Sequence, residues 1–125
     1  MNRKNLTEII QVADKLVEES KYQEAISQYN IALSINPDDD ILYYKKAMAL
    51  LSLGSYNTAI YSFSKAIKIS PVNPEYYYQY GVALNEMRDY KQAKEMFSMA
   101  NKLNPAKYPR NGIHYHSLAE ENGLQ

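Results

Sequence analysis

The 125-residue chain has no cysteine, which excludes a disulfide framework and all thiolate chemistry. Glycine is scarce. Its four residues are scattered, so no loop exists to cradle a phosphate. The two histidines are His114 and His116. In a helix they point to different sides, and with no cysteine nearby they read as part of a solvated tail, not a metal pair. Neither sign of charge is in excess. Fourteen basic and fourteen acidic side chains cancel, so the basic surplus of a general nucleic-acid or acidic-lipid binder is missing. Long apolar runs are missing too. The most apolar stretch, AMALLSLG at 47–54, is far too short to span a bilayer. Near the N-terminus, NLTEIIQVADKLVEES carries charge where a secretory signal needs an apolar core, so no targeting segment is expected. These absences point to a cytoplasmic protein with no cofactor, no metal, no nucleic acid and no membrane partner.

Apolar residues make up 46 % of the chain, enough to build the core of one modest domain, and 22 % charged residues keep its surface hydrated. Tyrosine is abundant. Four tyrosines crowd into PEYYYQYG at 74–81. Successive helical residues turn about 100°, so these four rings cannot share one face.

The chain repeats itself. Prolines stand at 37, 71 and 105, 34 residues apart each time. In the same register Ala25, Ala59 and Ala93 form one column, and Ala32, Ala66 and Ala100 another. Tyr22, Tyr56 and Tyr90 align, as do Tyr29, Phe63 and Phe97, and Ala13, Ala47 and Gly81. In EAISQYNIALSI, TAIYSFSKAIKI and QAKEMFSMANKL, apolar or small residues recur at helical spacing. Each segment runs into Asn36-Pro37, Ser70-Pro71 or Asn104-Pro105, where a helix cannot continue. A second helix per copy is predicted around 7–19, 41–53 and 75–87. Asp40 and Asn73 are the expected N-caps, with Pro74 just inside the third start. Gly54 suits a helix C-terminus. A helix pair of this kind cannot bury its apolar face alone, whereas stacked copies bury it on one another.

These columns resemble the tetratricopeptide repeat, a 34-residue helix-turn-helix unit. The resemblance implies an all-α fold: a right-handed α-solenoid of three repeats, at 6–39, 40–73 and 74–107, plus a short C-terminal capping helix within 108–125. There Ile113 and Leu118 are available for contact. The whole of 1–125 then forms a single domain.

Catalytic constellations are not evident. Ser117 beside His116 is adjacency only. Asp38, Asp39 and Asp40 lack the spaced oxygen ligands of a cation loop and suit a helix N-terminus instead. Glu18 with Glu19, and Glu120 with Glu121, diverge on helices. No enzyme is expected.

Recognition remains. In the family this chain resembles, the first helix of each repeat lines a concave groove. Carried onto this sequence, the partner-binding positions include Ile10, Asp14, Tyr44, Lys45, Met48, Tyr78, Val82 and Asn85. Tyr76, Tyr77 and Tyr80 fall at packing positions and Tyr78 faces the groove. Chaperone-binding members grip a C-terminal carboxylate with lysine, asparagine and arginine. This chain has Ile10, Asp14, Lys45, Glu75 and Gln79 at those places, so that clamp is expected to be absent. The expected function is a non-enzymatic scaffold that takes an apolar-sided peptide or protein segment in its groove. Self-assembly into homo-oligomers through groove, tail or repeat ends is the alternative, and a regulatory domain of a longer enzyme is a third.

Overall fold

A computed structural model describes residues 3–110. Six helices follow one another: α1 (Arg3–Glu18), α2 (Tyr22–Ile35), α3 (Asp40–Ser52), α4 (Tyr56–Ile69), α5 (Pro74–Glu86) and α6 (Tyr90–Leu103). No strand occurs among the described residues, and none of their helices is long and apolar enough to cross a membrane. The expected capping helix, with Ile113, Leu118 and both histidines, lies outside the described residues.

The helix starts follow local chemistry. Asn73 caps α5 by accepting from the Glu75 amide at 3.0 Å, with Pro74 in the first turn. For α3 the cap is Asp39, not Asp40. Asp39 has extended backbone and accepts from the Leu42 amide at 3.2 Å. Asp40 already lies inside the helix, and its carboxylate accepts instead from the Tyr76 hydroxyl at 2.6 Å.

The turns inside each pair are built alike. Ser20, Gly54 and Arg88 adopt φ of 60°, 78° and 65°. The next amide in each case reaches back five residues in the bond pattern that ends many helices: Lys21 to Leu16, Ser55 to Leu50 and Asp89 to Leu84, at 2.8, 2.9 and 2.9 Å. Only the middle turn uses the glycine that this left-handed backbone favours.

Small residues set the helix spacing. Ala13, Ala25, Ala32, Ala47, Ala59, Ala66, Ala93 and Ala100 are all fully buried. Tyr29, Phe63 and Phe97 fill the space beside them and are buried as well. Gly81 carries the tightest contact of this kind. A Cβ there would lie 2.6 Å from the Phe97 ring, so even alanine is too large.

Adjacent pairs join through a second set of columns. Ile26 packs with Ala49 and Leu50 of the next pair, and Leu33 with Leu42. Ile60 and Ile67 pack in the same way with Tyr77, Leu84 and their neighbours. In the third pair these two columns hold Lys94, which is exposed, and Asn101, whose side-chain amide donates to the Tyr108 carbonyl at 2.8 Å. At the opposite face of the stack, Glu8 and Lys15 are exposed where the second pair buries Leu42 and Ala49. Both end faces are therefore polar at positions that are apolar wherever two pairs meet.

Candidate functional site

Residues of α1, α2 and α3 line a hollow of about 250 Å³: Asp14, Val17, Tyr29, Tyr44, Lys45 and Met48. Four of the eight residues expected in the groove meet here: Asp14, Tyr44, Lys45 and Met48. Ile10 does not line the hollow. It is half-buried against the Leu42 cluster. Met48 packs into the second pair's core, and its partial exposure forms part of the apolar floor.

Asp14 is the anionic element of this hollow. It accepts from the Tyr29 hydroxyl at 2.6 Å and from the Lys45 ammonium at 2.8 Å. Lys45 and Asp14 remain about one-third and two-fifths exposed, so the pair contributes only about 0–1 kcal/mol. Its larger consequence is occupancy. Lys45 is already engaged and does not stand free as an anion receptor.

Further along α5 the chemistry changes. Glu75 accepts from the Tyr44 hydroxyl at 3.1 Å, from the Gln79 amide at 3.0 Å and from the Tyr108 hydroxyl, and it faces the Lys107 ammonium at 3.5 Å. Partial burial works to raise its pKa, but the hydrogen bonds from Tyr108, Gln79 and Tyr44 outweigh that and hold the carboxyl below its ordinary value. The phenols respond in the opposite sense. Burial raises Tyr29, Tyr44, Tyr76 and Tyr108 well above the usual phenol value, and the carboxylate each one faces adds to the rise.

The tyrosine run divides by burial. Tyr76 and Tyr77 are buried and Tyr80 is half-buried against Phe63, with ring centroids 6.5 Å apart. Tyr78 lies beside Glu75, but its ring sits between Phe97 at 5.5 Å and Tyr108 at 5.0 Å. Val82 is half-buried against the same cluster. The Asn85 side-chain oxygen is buried without a hydrogen-bond partner.

Sequence reasoning missed Tyr108. It belongs to no repeated column, and only its stacking partner reveals its role. The contribution of Tyr29 to the hollow was also missed, because an aromatic column predicts a buried ring and says nothing of where the hydroxyl points. As for metal chemistry, the described residues contain no group of three or more histidine, cysteine, aspartate or glutamate side chains placed to hold an ion.

Comparisons with known proteins agree with this architecture. The family model for a TPR repeat matches residues 13–54 and 47–87, and the tetratricopeptide-repeat model matches 74–107. No curated protein sequence matches the chain. Among solved structures, the Arabidopsis OM64 TPR domain aligns over 100 % of both chains at 22 % identity and a TM-score of 0.83. The Yersinia enterocolitica type III secretion chaperone SycD, in complex with a peptide of the translocator YopD, aligns over 98 % of this chain and 95 % of its own. Its identity is 17 % and its TM-score 0.83. The first TPR of Spaghetti (RPAP3), bound to the HSP90 peptide SRMEEVD, aligns over 99 % and 95 % at 18 % identity and a TM-score of 0.83. At these identities the likeness speaks for the fold alone, and the match of the repeat models over most of the sequence speaks for ancestry. The chain belongs to the tetratricopeptide-repeat family.

Proposed function

We propose that this protein is a non-enzymatic, cytoplasmic binding module that takes an apolar-sided peptide or protein segment in its concave groove. Ile10, Asp14, Tyr44, Lys45, Met48, Tyr78, Val82 and Asn85 are the proposed contact positions. One observation carries the reading. The open hollow has an apolar floor, Val17, Met48 and the Tyr44 ring, and its charged groups are already matched to one another. Such a surface rewards burial of aliphatic side chains and offers no net charge to an ionic ligand. Methionine and tyrosine suit it, one by adapting its shape and the other by burying a large ring while its hydroxyl stays bonded. The first TPR of Spaghetti and SycD both hold peptides, which supports the general mode.

An acidic C-terminal peptide fits poorly. Its carboxylates meet Asp14 and Glu75, and Lys45 is already paired. Self-assembly through the repeat ends has less support, because Glu8, Lys15 and Lys94 are exposed charges at columns that are apolar where pairs join.

The test is Met48→Glu, which puts a charge on the floor beside the Asp14 carboxylate. Partners captured from cells by the parent protein should be lost by the variant, while circular dichroism and monomer mass stay unchanged. Retention of every partner by a folded variant removes the hollow from the binding surface.

A further inference from the structure

Tyr108 follows α6 on a turn closed by its own amide, which donates to the Asn104 carbonyl at 2.9 Å. It lies outside the described helices, yet only 6 % of it is exposed. Its ring lies on Tyr78 with centroids 5.0 Å apart and planes 31° apart, and its hydroxyl donates to Glu75. The Lys107 ammonium stands 5.4 Å from the ring centroid. The second pair contains the same arrangement in a permanent form. There Tyr76 lies on Tyr44, also at 5.0 Å with planes 32° apart, and its hydroxyl donates to Asp40 at 2.6 Å. Tyr76 is locked into α5, whereas Tyr108 is supplied by a turn.

We propose that Tyr78, Glu75 and Gln79 form a binding site for a tyrosine side chain, filled by the chain's own Tyr108 and opened by a partner segment that presents a tyrosine of its own. Each part of the site selects for a phenol. The Tyr78 ring gives an aromatic floor. Glu75 gives a carboxylate that wants a hydroxyl donor, and Gln79 holds it in place at 3.0 Å. A phenylalanine leaves that carboxylate one donor short, and an acidic side chain meets it charge to charge.

This proposal rests on the reading of the groove as a peptide site. Tyr44 lines the open hollow and shares Glu75 with Tyr108, so a segment seated in the hollow is one side chain away from the Tyr78 ring. Tyr108 has the advantage of being tethered. A free tyrosine competes weakly with it, while one carried by a segment already anchored in the hollow competes on similar terms. The site therefore adds a second reading of the partner sequence, an aromatic one, next to the aliphatic one.

Tyr108→Ala empties the site, and 4-methylphenol serves as the probe, with toluene as its control. Isothermal titration and the chemical shifts of the Tyr78 ring report binding. The variant should bind 4-methylphenol about tenfold more tightly than toluene, the worth of one hydrogen bond to a charged acceptor. Tyr108→Ala combined with Tyr78→Ala should bind neither, and the parent chain should bind neither at Tyr78. Equal affinity for both probes overturns the phenol selectivity, and no affinity for either overturns the site. If Tyr108→Ala does not fold alone, recovery of its helical signal by 4-methylphenol and not by toluene supports the proposal, and no recovery sinks it. None of these outcomes touches Met48, so the hollow and the tyrosine site fail or survive separately.

Discussion

Two carboxylates of the candidate site, Asp14 and Glu75, live differently. Asp14 has two partners, is about two-fifths exposed and borders an open hollow. Glu75 has four partners, Tyr108 among them, is about three-tenths exposed and titrates below its ordinary range. The first and second pairs meet at Asp14, and their shared surface is finished by an aliphatic floor. Among the described residues the third pair is met by a turn residue, Tyr108, whose backbone Asn101 holds. The hollow beside Asp14 is thus open, while Tyr108 lies over the Tyr78 ring. Every expectation below asks whether that contrast is real in energy as well as in shape.

The largest effect is expected at Gly81→Ala. The added methyl meets the Phe97 ring at 2.6 Å, and Phe97 is the underside of Tyr78. Overpacking there should cost about 1–3 kcal/mol in urea unfolding. The counterpart in the second pair, Ala47→Gly, leaves no clash and should cost about 1 kcal/mol, mostly helix propensity. If both variants lose the same stability, the third pair is not the tighter one.

Next comes the pair of carboxylates. Glu75→Gln weakens acceptance from two phenols and removes the attraction to Lys107, and should cost about 1–2 kcal/mol. Asp14→Asn keeps an acceptor for Tyr29 and loses an exposed ion pair, and should cost about 0.5 kcal/mol. Denaturant midpoints of the two variants, read side by side, rank the two carboxylates. A larger loss at Asp14 reverses the comparison.

How much of this contrast was legible beforehand follows from what a repeat pattern records. The alanine columns, the aromatic column and the prolines report helix spacing and helix ends, and those are the features the six helices display. Hydroxyl direction leaves no such trace. Tyr29 and Phe63 share a column, but only Tyr29 reaches a carboxylate. The cap of α3 slipped by one residue because three aspartates in a row all qualify chemically, and the choice depends on which one Tyr76 claims. Tyr108 was hidden for a geometric reason. Tyr76 stacks on a ring 32 positions earlier and Tyr108 on a ring 30 positions earlier, so no alignment in steps of 34 brings the two together.

Titration gives the third expectation. Glu75 titrates lower in the fold than in the unfolded chain. Its contribution is complete above the unfolded glutamate value of about 4.3 and is lost as the pH falls through the folded value. The phenols of Tyr29, Tyr44, Tyr76 and Tyr108 titrate higher in the fold. Their contribution is complete below pH of about 10 and is lost as the pH rises beyond it. Stability should therefore fall at both extremes. Glu75→Gln should flatten the acid limb, and Tyr108→Phe should soften the alkaline one. An acid limb unchanged by Glu75→Gln assigns it to other carboxylates and leaves Glu75 energetically ordinary.

The smallest effect concerns the turn between α1 and α2. Ser20 holds φ of 60° where the second pair uses Gly54 at 78°. A left-handed serine is strained by roughly 1–2 kcal/mol, and glycine relieves that strain but loses more freedom on folding. The two terms oppose each other, and Ser20→Gly should stabilise by about 0.5 kcal/mol net. Arg88 has the same backbone at φ of 65°, but it has a further interaction of its own, so the serine gives the cleaner reading. The informative quantity is where the gain shows. Amide exchange in α1 should slow while that of α5 and α6 stays as it was, because the turn joins α1 to α2 alone. Slowing spread evenly over all six helices means the stack opens as one unit, and the openness of the Asp14 hollow is then a matter of shape without a matching weakness in the fold.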